Sequence, residues 1–224
     1  MSDTLTVEPF QVKDCALAAL ATGLRAQNLR ELRDRAQAVH PGSIYYHFWG
    51  GLLRPRFDDP EYNNDFASWA AHGLHDGTLA ERLAVIDPGE FTNIDQLRQE
   101  LLDVIDQRLD ENEPLAWAAR DRQFQFIRAQ TVVFDTGRRL DDAASLARVV
   151  PTLSLGSIYY HVIDARRREP QGTDDFRAWL AQFADAHAGL IRQLAEVDPY
   201  FTTLAELRTL LSAIFREYFG RVAE

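Results

Sequence analysis

Two histidines stand out as groups that could do chemistry. His47 and His161 each follow a pair of tyrosines, Tyr45-Tyr46 and Tyr159-Tyr160, inside an identical hexapeptide, Gly-Ser-Ile-Tyr-Tyr-His, that occurs twice, 114 positions apart. An imidazole is the side chain most readily poised for proton transfer or metal ligation near neutral pH. Asp65 and Asp175, downstream of the two hexapeptides, are candidate orienting carboxylates, and a two-fold pairing could gather both histidines and both aspartates into a metal site. The plainer reading is a core histidine whose ring nitrogens are satisfied by backbone or carboxylate, with Tyr46 and Tyr160 sharing the network. Asp65 and Asp175 then read as helix N-caps.

The other candidates are weaker. Arg25 and Arg139 each follow a Thr-Gly pair and could supply counter-charge to an anion held at the helix N-termini that begin at Gly42-Ser43 and Gly156-Ser157. Ser43 and Ser157 are otherwise simple N-caps. His72-x-x-His75 has the spacing to grip a metal from one helical face, but it lacks a third fixed ligand and has no counterpart in the second half of the chain. Trp69 and Trp179 read as core anchors. Cys15, the one cysteine, lies in an Ala-rich stretch and reads as a small core residue. It excludes an internal disulfide and fits a reducing compartment. No P-loop, dinucleotide fingerprint, Gly-x-Ser-x-Gly elbow or His-Glu-x-x-His stretch is present. No catalytic residue, metal or cofactor is therefore assigned, and the balance falls against an enzyme.

Composition sets outer bounds. The 224 residues carry a net charge of -10, which argues against non-specific nucleic-acid binding, because phosphate contacts need a cationic face. No run approaches the roughly 18 apolar residues of a membrane helix. Met1 to Leu5 lack the regions of a signal peptide, so the expected location is the cytoplasm.

The elements that must position these residues follow from the repeat. Phe10-Gln11 returns as Phe124-Gln125, Thr22-Gly23 as Thr136-Gly137 and Arg54 as Arg168, all 114 apart. Asp65-Phe66 with Trp69 returns as Asp175-Phe176 with Trp179 at 110, and Leu97-Arg98 as Leu207-Arg208 at 110. Anchors kept in order, with small length changes between them, indicate a duplicated module. The motifs Thr22-Gly23-x-x-Ala26-x-Asn28-Leu29-x-Glu31-Leu32, Ser43 to His47, Asn64-Asp65-Phe66-x-x-Trp69 and Glu81-Arg82-Leu83-x-x-Ile86-Asp87 resemble those of a family of prokaryotic proteins, domain-of-unknown-function family 5752. The resemblance covers nearly the whole chain, once per copy, and implies no catalytic residue. The second copy departs from it at Asp142-Ala143 and before Asp198.

Each copy reads as a string of helices. The stretches 10–22 and 122–136 are expected as helices, although Val132-Val133-Phe134 could instead be a strand. Ile44 to about Leu53 is apolar on almost every side, the mark of a buried helix. The acidic stretch Asp103 to Glu113, with Pro114, is expected to link the copies. In the second copy, the period from Phe176 to Leu194 is almost unbroken, which suggests one fused helix bent near Gly189. The resulting expectation is an all-α fold. It comprises a tandem duplication of a roughly five-helix unit, with repeats at 1–113 and 114–224 packed as a pseudo-two-fold pair. Two functions fit this fold. One is a non-catalytic helical adaptor or regulator that binds another protein or itself. The alternative is a small-ligand or metal-binding sensor or enzyme that uses the repeated Tyr-Tyr-His helix.

Overall fold

The structure, a computed structural model, describes residues 7–54, 61–111, 116–168 and 172–222. The fold is mixed α/β, not all-α: two long strands, β1 (Phe10–Ala26) and β2 (Phe124–Leu140), pair antiparallel as a two-stranded ribbon. Both strands occupy stretches expected as helices. At their starts the alternation is plain, with Phe10, Val12, Phe124 and Phe126 buried and Gln11 and Gln125 exposed. Beyond Cys15 the Ala-rich run of β1 has high intrinsic helix propensity, but pairing with the Val-, Thr- and Phe-bearing β2 overrides it. Gly23, just past the first expected helix, and its counterpart Gly137 lie inside the strands at φ of 76° and 72°, in the left-handed region. The preceding threonines tie the ribbon together: Thr22 Oγ1 donates to the Phe126 carbonyl at 2.6 Å, and Thr136 Oγ1 donates to that of Val12.

The chain forms two compact units whose boundaries cut both strands. One is Leu17–Thr131; the other joins Met1–Ala16 to Val132–Glu224. They are called here the His47 unit and the His161 unit. Neither coincides with the sequence halves 1–113 and 114–224, because each unit includes a strand segment from the opposite half.

The His47 unit contains α1 (Leu29–Ala38), α2 (Pro41–Trp49), α3 (Asp65–His72), α4 (Gly77–Ala84) and α5 (Ile94–Asp110). Asn28 accepts the Glu31 N–H and the Glu31 carboxylate accepts the Gln27 N–H, a reciprocal cap that starts α1. The carbonyls at the other end of α1 are satisfied by Arg98 on α5, whose guanidinium reaches the Ala36, Gln37 and Val39 oxygens at 2.7–3.0 Å. The aromatic helix is α2, buried at every residue from Ser43 to Trp49. Ser43 is not its cap. Pro41 opens the helix and His40 Nδ1 accepts the Gly42 N–H, while Ser43 Oγ donates sideways to the Ile127 carbonyl of β2 at 2.6 Å. The helix α5 continues through Asp103 to Asp110, where a linker was expected, because Leu97, Leu101, Leu102 and Ile105 keep one face buried. Glu113 and Pro114 lie outside the described residues, as do Met1 to Leu5.

The His161 unit contains α6 (Leu146–Val149), then α7 (Leu155–Ile158) continuing through a π-helical segment, Tyr159–Asp164, into α8 (Ala165–Arg168). Ser154, not Ser157, caps α7 by accepting the Ser157 N–H at 2.9 Å. The expected fused helix is two, α9 (Asp175–Leu180) and α10 (Ala188–Ala195), broken at Ala184 with φ of 52° and not at Gly189. The last helix is α11 (Leu204–Val222). Both cores are aromatic, with Phe48, Phe66 and Phe126 in one and Tyr159, Phe176 and Phe215 in the other below 2 % exposure. Each such side chain contributes about 1.5–3 kcal/mol by burial. Among the described residues no helix is long and apolar enough to cross a membrane.

Candidate functional site

His47 lies on α2 where β2 crosses it, and both of its ring nitrogens are engaged. Nε2 accepts the backbone N–H of Ile127 at 3.1 Å, so the proton of the neutral ring sits on Nδ1, which donates to Asp65 Oδ2 at 2.8 Å. Asp65 is the first residue of α3. The helix is capped by Asn64, whose side chain accepts the Ala67 N–H at 2.9 Å, which leaves the Asp65 carboxylate free to turn inward. Arg54 closes the chain with a forked contact, donating to Asp65 Oδ2 at 2.9 Å and Oδ1 at 3.3 Å. Its guanidinium carbon lies 4.8 Å from the Tyr46 ring centre. Phe66 and Phe124, stacked at 5.1 Å, and Phe126 form the apolar wall around the imidazole.

The same arrangement stands in the His161 unit. His161 Nε2 accepts the N–H of Lys13 at 3.0 Å, and Nδ1 donates to Asp175 Oδ2 at 2.7 Å. Asp174, not Asp175, is the N-cap of α9. Arg168 donates to Asp175 at 2.9 Å and lies 4.0 Å over the Tyr160 ring. Phe10 and Phe176 stack at 5.3 Å beside the histidine. The tryptophans secure the strand starts: Trp69 Nε1 donates to the Arg122 carbonyl and Trp179 Nε1 to that of Glu8, each at 2.7 Å. One difference is local. Arg168 also donates through Nε to Asp164 Oδ2 at 3.0 Å, whereas the corresponding position in the other unit is Gly50.

This electrostatic arrangement suits a fastening. Burial is the largest influence on His47 and holds its pKa below the ordinary value, although Asp65 pulls the other way. Burial alone would raise Asp65, but the hydrogen bonds and charges of His47 and Arg54 outweigh it and keep the carboxyl below its usual range. A catalytic base or a metal ligand must present a free lone pair. On both histidines the Nε2 lone pair is taken by a strand N–H, so each Asp–His pair links a strand to two helices.

The remaining candidates disperse. Arg25 is exposed on β1, and Arg139, exposed on β2, is paired with Asp135 at 2.7 and 2.9 Å. His47 and His161 lie in different units, each with its own aspartate. His72 ends α3 beside Glu61 at 3.2 Å, and His75 sits beyond the helix at φ of 57°, so the two do not share a helical face. Among the described residues no three His, Cys, Asp or Glu side chains converge as a metal set. Cys15 is buried and donates to the Gly156 carbonyl at 3.3 Å. Sequence reasoning missed Arg54 and Arg168 as third members of the two chains. Their exact 114-residue spacing was the available signal. It also missed the backbone donors Ile127 and Lys13, which have no side-chain signature.

A shallow cleft adjoins each fastening, one of about 350 Å³ beside Arg54 and Arg122, the other of about 360 Å³ beside Arg168 and Glu8.

Residues 7–216 match the model of a family described as a family of unknown function, DUF5752. The chain belongs to this family. It is also similar to a solved structure, that of OrfY from Thermoproteus tenax, at 29 % identity over 96 % of this chain and 97 % of that one, with a TM-score of 0.82. Membership of DUF5752 assigns no activity, and no curated protein matches the chain.

Proposed function

We propose that this DUF5752 protein is a non-catalytic adaptor or regulator that binds another protein. The observation that carries this reading is the double engagement of His47 and His161: the two groups best suited to chemistry are consumed in holding strands. A sensor or enzyme working through the Tyr-Tyr-His helix fits less well for the same reason. The exposed apolar side chains of β2 support a binding role. Val132, Val133 and Phe134 are 42 %, 44 % and 50 % exposed on a strand that, among the described residues, keeps one edge unpaired in a two-stranded sheet. The two strands carry five basic and two acidic residues in a chain of net charge -10. The partner that suits such a surface is an acidic segment bearing apolar side chains, added alongside the strand. A cytoplasmic setting and descent of the two half-chains from one ancestral module belong to the same reading. The latter is supported by matched contacts such as Ile127 to His47 and Lys13 to His161.

The test is a photo-crosslinker at position 134 in the full chain, with the captured species identified by mass spectrometry, alongside light scattering of the wild type and Phe134→Asp. A crosslink to an acidic segment of one other protein, lost in Phe134→Asp, is the expected result. A crosslink only to a second copy, with loss of a dimer in Phe134→Asp, would make self-association the function. No crosslink, together with a stoichiometric metal or small molecule in the purified protein, would overturn the adaptor reading.

A further inference from the structure

The two clefts occupy matching positions but differ in charge. Beside His47 the ionised lining groups are Arg54, Arg122 and Asp65, and beside His161 they are Arg168, Lys13, Glu8 and Asp175. Taking histidine as neutral, the first cleft has one positive charge in excess and the second is balanced. Two exchanges set this balance: Arg122 stands where the other unit has Glu8, and Ile127 where it has Lys13. Outside that count, Asp164 supplies Arg168 with a second carboxylate where the first unit has Gly50. Arg54 is shared with one carboxylate, that of Asp65. Arg122 donates to the His72 carbonyl at 3.2 Å, which uses one of the five N–H donors a guanidinium offers. Behind these groups lie the buried rings of Trp69 and Phe124, an apolar floor. The volume of about 350 Å³ falls among small-molecule sites, which span roughly 300–1,000 Å³.

We propose that this cleft takes a small molecule bearing a carboxylate or phosphate group, held by the guanidinium groups of Arg54 and Arg122 with its carbon body against Phe124. Guanidinium groups bind both anions through paired, charge-assisted hydrogen bonds. The site is independent of the protein-binding surface on β2, and the His161 cleft is its internal control.

The experiment titrates isotopically labelled full-length protein with inorganic phosphate and, separately, with benzoate, while amide and indole N–H resonances are followed. Saturable shifts are expected at the Trp69 indole and at the Gln123 and Gln125 amides, with the Trp179 indole and the Gln11 amide unmoved. Response to phosphate alone, or to benzoate alone, identifies which anion class the site prefers. Arg122→Glu, which copies Glu8 of the other cleft, should weaken binding by roughly tenfold or more. An unmoved Trp179 indole in that variant shows that the fold is kept. If Arg122→Glu does not fold, Arg122→Gln and the wild-type map decide. The proposal is overturned if neither probe shifts Trp69 at millimolar concentration, if shifts scatter over the surface arginines, or if the folded variant responds as the wild type does.

Discussion

The backbone N–H of Ile127 points at Nε2 of His47 across 3.1 Å, and this bond, with the one from Ser43 Oγ to the Ile127 carbonyl, fastens β2 to the helix at the centre of the unit. The first bond fixes the tautomer of the ring, and the tautomer fixes the direction of the next bond, to Asp65. Sequence, strand placement and electrostatics therefore meet at one imidazole.

Removing the imidazoles should harm the fold and spare binding. His47→Ala leaves the Ile127 N–H without a partner, reduces the Asp65 carboxylate to its contact with Arg54 and opens a cavity, so a loss of about 2–4 kcal/mol is expected. His161→Ala should behave alike, from the Lys13 N–H and Asp175. Urea unfolding measures the cost, and capture through position 134, assayed well below the melting temperature, should persist. Loss of capture with unchanged stability would contradict the fastening role.

Acid should loosen the His47 unit in two steps. The folded state holds His47 below its ordinary pKa, so the unfolded chain takes up a proton that the folded chain refuses. Stability is then full above about pH 6.5 and declines as pH falls toward the folded pKa, by at most about 1.4 kcal/mol per pH unit from this group. Asp65 is likewise depressed, so its contribution is present above the unfolded value near 3.8 and is lost as pH falls toward the lower folded one. Urea midpoints across this range should slope in the wild type. The upper step should flatten in His47→Gln, whose amide oxygen still accepts the Ile127 N–H. Equal slopes in both proteins would refute the assignment.

A methyl group at Gly156 should be costly. Its Cβ would stand 2.3 Å from the Cys15 carbonyl oxygen and 2.2 Å from Asp14 Oδ1, so the strand backbone would have to move. At Gly42 the corresponding oxygen, that of Ala129, is 3.3 Å away. Gly156→Ala should therefore lower the melting temperature well beyond Gly42→Ala, with overpacking costing about 1–3 kcal/mol. Equal effects would mean that the approach of β1 is not as tight as the distances state.

Cys15 should be inert while the chain is folded. Its thiol is pushed up to about 12, by burial first and then by the charges of Asp164 and Asp14, so almost no thiolate exists at neutral pH. A thiol reagent such as dithionitrobenzoate should react only after denaturant is added. Prompt reaction of native protein would show that the pocket around Gly156 opens.

The hexapeptide helix and its burial were legible, because an all-round apolar run has few other homes. The recurrent His and Asp residues were legible as candidates for the same reason that Arg54 and Arg168 should have been: all recur in the same order in both halves, the histidines and arginines 114 apart and the aspartates 110. The strands were not. In β2, Phe124, Ile127, Thr131 and Phe134 happen to match the helical period, yet the buried pair is Phe124 and Phe126. In β1 the alternation lasts only through Phe10 and Val12 before alanines erase it. The ribbon's pairing is non-local, with Thr22 finding Phe126 and Thr136 finding Val12, and no window of neighbouring residues contains that information. The caps expected at Ser43, Asp65, Ser157 and Asp175 were misplaced by one to three residues because a neighbouring side chain, His40, Asn64, Ser154 or Asp174, takes the N–H groups instead.

The crossed ownership of strands sets an order of events during synthesis. As the polypeptide leaves the ribosome, α1 to α5 emerge before the piece of β2 that completes their site, which ends only at Thr131. Meanwhile the earliest segment, through Ala16, must wait for a scaffold that has yet to be translated. A nascent chain halted near its middle would thus carry two unfinished pieces of different buildings, one waiting for a short stretch through Thr131 and the other for everything beyond it.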